Sequence, residues 1–378
     1  MDGVLPLKPL GLYVHIPFCA RKCAYCDFAS WAGREADRER YAEALCREIG
    51  ERAEQCGHPA ADTVFFGGGT PSLLPPELYR RIAGTLRERF VIAPDAEWTV
   101  ECNPGTLTAE FAAALRESGC NRLSMGMQAA QPELLRTLGR IHTLEGVCQA
   151  AAIARDAGIN NLNLDLMLSL PGQTAEHMRE TLDAALDLRP QHVSCYALIV
   201  EEGTPLHDWV ERGQVSLPGE DMDRALYGLC RDTLERRGFH QYEISNFALP
   251  GRECRHNVHC WQRRDYLGFG CAAHSLWREE RRANPRELND YLAGKPPETE
   301  IISPADARFE YMMLGLRLTA GVSEGDFEER FGQSLWETYG PRLLPAVRDG
   351  RVVRQNGRVF LTRRGMDVMN SVLVALLD

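Results

Sequence analysis

Short runs rich in β-branched and apolar residues alternate, through the first two thirds of this chain, with amphipathic or alanine-rich stretches of helical length. The runs predict strands at 12–16, 63–66, 98–101, 122–125, 162–168 and 192–198. The stretches between them predict helices at 38–55, 77–90, 109–118, 144–157 and 175–186. Punctuation agrees: Thr108 stands as an N-cap, Gly119 and Gly158 sit just past helix ends, and Pro190 stops a helix before the sixth strand. Six βα units imply a parallel sheet with helices outside, as an open doubly wound sheet or a partial barrel. In either form the C-terminal ends of the strands share one face, and that face carries the site.

The tail reads differently. The stretch 293–300, with a glycine and two prolines among charges, predicts a boundary between a domain at 1–290 and a smaller one at 300–378. The small domain is expected to be α+β, with helices at 305–318, 323–330 and 334–347, a hairpin at 351–362 and a last helix at 365–377. Asn356-Gly357 supplies the hairpin turn. Helices followed by a hairpin resemble a winged helix, but a net charge of −10 favours a packing or lid role and no nucleic-acid partner. The chain has no apolar run of membrane-spanning length and no secretory leader pattern. Its thirteen cysteines, an odd number without a secreted framework, fit a reducing compartment, so a cytoplasmic protein is expected.

Three of those cysteines are special. Cys19-Ala-Arg-Lys-Cys23-Ala-Tyr-Cys26 follows directly on the first strand. A C-x3-C-x2-C loop can hold three irons of a [4Fe–4S] cube and leave the fourth iron open for chemistry. Zinc is the competing occupant, with His15 as a fourth ligand, although zinc ribbons bring two C-x2-C pairs and no second pair exists here. Buried thiols acting as small apolar residues account for most of the other ten.

Polar residues then fall where the strands end. Phe65-Phe66-Gly67-Gly68-Gly69-Thr70-Pro71 leaves the second strand as a glycine turn able to bring backbone close to a ligand. Glu101 ends the third strand, Gln128 the fourth, Asp165 lies in the fifth and Tyr196 in the sixth. Each alone can be a structural polar group. Together with the cysteine loop they predict one site on one rim.

At this point the sequence resembles the HemN/HemW group of radical S-adenosylmethionine (SAM) proteins along almost its whole length. The resemblance rests on Tyr13-Val-His-Ile-Pro-Phe-Cys19, Phe66-Gly-Gly-Gly-Thr-Pro71, Glu101-Cys-Asn-Pro-Gly105, Ser124-Met-Gly-Met-Gln128, Leu138-Gly-Arg-Ile-His142, Leu170-Pro-Gly-Gln173, Tyr242-Glu-Ile-Ser-Asn-Phe247 and Arg255-His-Asn257. It implies a partial (β/α)6 barrel and a cluster held by Cys19, Cys23 and Cys26. It also implies SAM on the open iron against Tyr13, Gly68 and Glu101, and a second SAM position lined by Gly69, Thr70, Gln128, Arg140 and Asp165.

The oxygen-independent coproporphyrinogen III oxidases of this group carry a fourth cysteine two residues after the third, where this chain has Phe28, and a longer segment before the first strand. Both departures resemble the haem-chaperone branch, as does Cys254-Arg-His-Asn-Val-His-Cys-Trp261, close to that branch's HNxxYW pattern with Cys260 in place of tyrosine. Ser169 likewise stands where the group has glycine before Leu-Pro. The resemblance therefore implies a haem chaperone that passes haem to acceptor haemoproteins, with membrane-bound respiratory enzymes among the expected acceptors and a homodimer as the expected assembly. Coproporphyrinogen oxidation and radical SAM methyl transfer are the alternatives, and no catalytic residue is assigned. His256 is the candidate haem ligand, while zinc binding or a structural role stay open for Cys254, His256, His259 and Cys260.

Overall fold

The computed structural model describes residues 9–377. Six strands, β1 (Leu10–Ile16), β2 (Ala60–Gly68), β3 (Val91–Cys102), β4 (Arg122–Gln128), β5 (Asn161–Leu168) and β6 (His192–Ala197), lie parallel in sequence order. Helices Arg38–Cys56, Pro76–Arg89, Ala109–Glu117, Leu144–Asp156 and Ala175–Asp187 return the chain from each strand to the next. The expected α/β layout with a central parallel sheet is therefore present, and the six expected strands and five helices all form.

Period-two geometry sorts the side chains. Leu12, Val14, Ile16, Val64, Phe66, Trp98, Val100, Leu123, Leu164 and Leu166 face the helices and are essentially fully buried. Each such side chain contributes about 1.5–3 kcal/mol by leaving water. The opposite parity carries Tyr13, His15, Glu101, Ser124, Asp165, Ser194 and Tyr196, which therefore share the interior face. Register brings these into rows: His15 pairs with Gly67, Glu101 with Ser124, and Asp165 with both Gly126 and Ser194.

The sheet is wider than the sequence implies. Beyond β6 lie β7 (His240–Glu243) and β8 (Asn246–Ala248), antiparallel and in the spatial order β6-β8-β7. Beside β1 runs β9 (Tyr266–Phe269), parallel to it, then antiparallel β10 (His274–Trp277), β11 (Glu280–Ala283) and β12 (Glu298–Ile301). Both edges stay open, as in a partial barrel. These added strands are three or four residues long, too short for a periodic signal. Part of the expected boundary is thus β12, whose Glu-Thr-Glu-Ile run is exposed throughout and so carries no apolar signature.

The tail builds a second core from Tyr311, Met312, Leu316, Phe327, Leu343, Val359 and Leu361. Its sheet has the order β13 (Val322–Ser323), β15 (Arg358–Leu361), β14 (Val352–Gln355). The β14–β15 turn uses Asn356 and Gly357 at φ 53° and 70°, the left-handed pair that a tight hairpin needs. The last expected helix is instead two, Arg363–Met366 and Met369–Val374. Val368 breaks it at φ −129°, and its carbonyl accepts from Ser371 Oγ at 2.8 Å. The break turns Val372 and Leu373 onto the second core. Among the described residues no helix is long and apolar enough to cross a membrane.

Candidate functional site

The cysteine loop is fixed by backbone bonds to five neighbours. Trp31 N donates to Pro17 O at 2.8 Å and Cys19 N to Trp31 O at 3.0 Å, which pinches the loop shut at its base. Gly69 N and Thr70 N donate to Ile16 O and Phe18 O, both at 2.8 Å. On the far side Ala24 N donates to Leu138 O at 3.0 Å, and Leu206 N donates to Ala24 O at 2.9 Å. His15 completes the anchoring. Its Nε2 lies 2.8 Å from Ala29 O, which can only accept, so that nitrogen carries the proton. Its Nδ1 then accepts from the Tyr13 hydroxyl at 3.0 Å. Burial lowers the pKa of His15, which fits this neutral tautomer.

Glycines let the strand ends approach the loop. Gly68 has φ +106°, and a Cβ there would lie 2.4 Å from the His15 ring. A Cβ on Gly126 would lie 2.7 Å from Gln128 Nε2 and 2.8 Å from Arg140 Nη2. Gln128 itself is held at φ 64°, where a register shift in β4 aims its side chain at Tyr196, whose hydroxyl donates to Gln128 Oε1 at 3.2 Å.

The result is a cavity of about 190 Å3 walled by Cys19, Cys23 and Cys26 together with Gly68, Gly69, Glu101, Gln128, Arg140, Asp165 and Tyr196. Two expected residues stand apart. Thr70 is buried behind the wall, its hydroxyl 3.8 Å from Cys19 Sγ and accepting from Asn103 Nδ2 at 2.8 Å. Tyr13 lines an adjoining cavity that shares Phe28, Gly68 and Glu101 with the first.

The charge pattern is specific. Burial pushes the thiols of Cys19 and Cys26 up, so they are protonated unless a metal binds. Burial, and then Asp165, push Glu101 up to about 8, although Gly68 N donates to its Oε2 at 3.2 Å. Burial also raises Asp165 against the hydrogen bonds of Ser124 and Asn163. Arg140 is the cation among them: its Nη1 lies 3.6 Å from Cys23 Sγ, and its Nη2 donates to Gly126 O at 2.7 Å and Asn103 Oδ1 at 2.8 Å. Arg140 Nε donates to His142 Nδ1 at 3.3 Å, leaving His142 Nε2 to donate to Met127 O at 3.0 Å. Burial and then Arg140 lower His142 to about 4, so it stays neutral. Asn103 and His142 escaped the reading of single residues, although both lie inside the quoted motifs.

The donor set suits a thiolate-bound cluster. Three half-buried sulfurs face one cavity beside a guanidinium that can offset thiolate charge. Among the described residues no three Cys, His, Asp or Glu side chains converge on a single ion, and that includes this triplet.

The segment 254–260 does not gather into one centre. The helix Arg255–Trp261 sends its polar side chains to different partners. Cys254 Sγ lies 3.5 Å from Glu97 Oε1, and His259 Nε2 lies 3.4 Å from Asp62. His256 is buried against the rings of Tyr13 and Phe65, with Nδ1 2.9 Å from Thr63 Oγ1. Burial lowers it to about 3. Cys260 is partly buried, and burial raises its thiol to about 11.

A partial barrel with three cysteines at the exit of its first strand defines the class, a radical SAM protein. The Radical SAM superfamily model matches residues 13–185, and the HemN C-terminal domain model matches 302–368. Heme chaperone HemW of Bacillus subtilis (strain 168) is 36% identical over 372 residues, 97% of this chain and 98% of that protein. Heme chaperone HemW of Escherichia coli (strain K12) is 33% identical over 377 residues, 98% of each chain. With such similarity along its whole length, the chain belongs to the HemW family. Its fold is also that of the coproporphyrinogen III oxidase HemN from Escherichia coli, a radical SAM enzyme, with a TM-score of 0.85 at 24% identity over 99% of this chain and 91% of that one.

Proposed function

We propose that this protein binds haem next to a SAM-liganded [4Fe–4S] cluster and transfers the haem to acceptor haemoproteins. The observation that carries this reading is the full-length similarity, 36% over 372 residues, to a relative named a heme chaperone. Phe28 supports it: 68% exposed at the mouth of the cysteine cavity, it offers carbon surface where the oxidases of the group place a thiol.

In this reading Cys19, Cys23 and Cys26 hold the cluster, which when bound supplies an open iron for the amino and carboxylate groups of SAM. Glu101, half-buried and without an ion-pair partner among the described residues, faces the amino group, while Gly68 offers backbone and Tyr13 closes the side. Gly69, Thr70, Gln128, Arg140 and Asp165 line the second SAM position, with the carboxylate of Asp165 suited to ribose hydroxyls. His256 remains a haem candidate only if its aromatic cage opens. We also propose the division into residues 1–290 and 300–378, supported by a first core that runs to Leu292 and a second that begins at Tyr311.

The test is transfer. Anaerobically purified, cluster-loaded protein is charged with haem, separated from free haem, and mixed with an apo-haemoprotein while the Soret band is followed. The expected result is appearance of the acceptor's band faster than free haem dissociates. Absence of saturable haem binding, with coproporphyrinogen consumed under reducing conditions with SAM, overturns the reading in favour of the oxidase.

A further inference from the structure

The geometry points to His192 and Tyr242 as positioning residues for Asp165, through a chain of hydrogen bonds that ties the second SAM position to the segment 254–261; this rests on Asp165 facing that SAM.

The chain begins at the helix Arg255–Trp261, none of whose residues line the cysteine cavity. Cys254, its N-cap residue, donates from its backbone N to the Tyr242 hydroxyl at 3.3 Å. The Tyr242 hydroxyl lies 2.8 Å from His192 Nε2, and His192 Nδ1 lies 2.6 Å from Asn163 Oδ1. Asn163 Nδ2 then donates to Asp165 Oδ1 and to Ser124 Oγ, both at 2.7 Å. Ser124 Oγ passes its own proton to Asp165 Oδ2 at 3.2 Å. Sheet register aligns these groups: Asn163 pairs with Ser124 on one side and His192 on the other, one row across β4, β5 and β6. Tyr242, His192 and Asn163 are buried, and the chain ends where Ser124 and Asp165 line the cavity.

The chemistry of the groups gives the chain one direction. An amide oxygen only accepts, so His192 Nδ1 carries the proton toward Asn163. Burial and then Arg122 hold His192 well below its ordinary pKa, so the ring is neutral and Nε2 accepts from the Tyr242 hydroxyl. The Tyr242 oxygen in turn takes the Cys254 N–H. With its oxygen held by His192, and by Ser194 Oγ at 3.2 Å, the Asn163 amide keeps its nitrogen toward Asp165. Turned about, the amide would set its oxygen against the carboxylate and withdraw a donor that favours the ionised form, the form that accepts from ribose hydroxyls. A row that only filled the barrel interior would be served better by apolar side chains, because a buried polar network is costly unless every member is satisfied.

The experiment counts SAM on the full-length, cluster-loaded protein by anaerobic equilibrium dialysis with radiolabelled SAM. The first SAM is followed separately through the electron paramagnetic resonance signal of the reduced cluster, which binding at the open iron shifts. The wild type is expected to bind two SAM per chain. His192→Phe is expected to weaken the second about five- to tenfold and leave the first unchanged, while His192→Asn, which keeps a donor toward Asn163, stays within about twofold of the wild type. Added to Asp165→Ala, His192→Phe should cost nothing further, since it acts only through Asp165. Wild-type affinity for the second SAM in His192→Phe, or an undiminished loss in the Asp165→Ala background, overturns the assignment. Should His192→Phe lose its cluster or both SAM positions, Tyr242→Phe decides instead: it removes one hydroxyl, and an unchanged second SAM there overturns the assignment equally. One SAM per chain in the wild type refutes the second position itself, a result distinct from all of these.

Discussion

Ser169 is the residue whose replacement by glycine should stabilise the protein. It follows β5 with φ 61°, is 4% exposed, and its Oγ has no hydrogen-bond partner. An L-residue in left-handed backbone costs about 1–2 kcal/mol. A buried hydroxyl without a partner costs about 1–3 kcal/mol. Glycine returns about 0.5–1 kcal/mol of this through its more flexible unfolded chain. The balance is a gain of roughly 1–4.5 kcal/mol for Ser169→Gly. Ser169→Ala separates the terms, since it removes the hydroxyl and keeps the Cβ. Urea unfolding by far-UV circular dichroism, at constant m, should place the midpoints in the order glycine, alanine, serine, highest first. A glycine midpoint at or below that of serine refutes the reasoning. It would mean that bound water satisfies the hydroxyl or that the neighbouring loop relaxes.

Three further outcomes follow from the site. Gly68→Ala should abolish stable cluster loading, because the new methyl meets the His15 ring that anchors the loop; an unchanged iron–sulfur absorbance after anaerobic reconstitution speaks against this. Glu101→Gln should raise the stability of the ligand-free protein at pH 9 and leave it nearly unchanged at pH 4. The native carboxyl titrates near 8, above its ordinary value of 4.5, so its neutral form is the one the fold favours, and stability drains away as pH climbs between the two. Equal shifts of the unfolding midpoint at both pH values contradict that. Cluster reconstitution should proceed more readily as pH rises through 7 to 9, since burial keeps Cys19 and Cys26 protonated and each must lose its proton to bind iron. Stopped reconstitution monitored by visible absorbance measures it, and a flat pH profile argues that the thiols are already ionised.

The sequence announced the six central strands because each carries an uninterrupted buried face, such as Leu12, Val14 and Ile16 on β1. It announced the rim because the inward parity of the same strands is polar, which a core would not tolerate without purpose. The edge strands were hidden by their brevity and by exposed runs such as Glu-Thr-Glu-Ile in β12. The adjoining cavity was hidden for another reason. Its walls come from 13, 28, 101, 274 and 286, joined only by the parallel pairing of β9 with β1, a contact that no local pattern reveals. A different geometry explains why the 254–260 segment misleads. Four potential ligands within seven residues look like a centre, yet one turn of helix points them to Glu97, Thr63 and Asp62 in turn.

Two cavities with a common wall cannot fill independently. Glu101 and Gly68 face both, and Glu101 is a half-buried acid whose protonation follows whatever charge arrives beside it. A cationic amine in the cysteine cavity favours the ionised carboxylate. That charge then faces the neighbouring cavity as well. Whatever free energy links the two must act equally in both directions. If SAM tightens haem binding by some factor, haem tightens SAM binding by the same factor, and if it loosens one it loosens the other. The sign is open to measurement through a haem titration with and without SAM. The wall residue Glu101 fixes where the coupling resides: in Glu101→Gln, whose charge no longer depends on either ligand, the two haem curves should coincide at SAM concentrations that direct SAM titration shows to saturate the variant. Curves that remain apart in that variant place the coupling elsewhere, in the glycine turn or in Phe28.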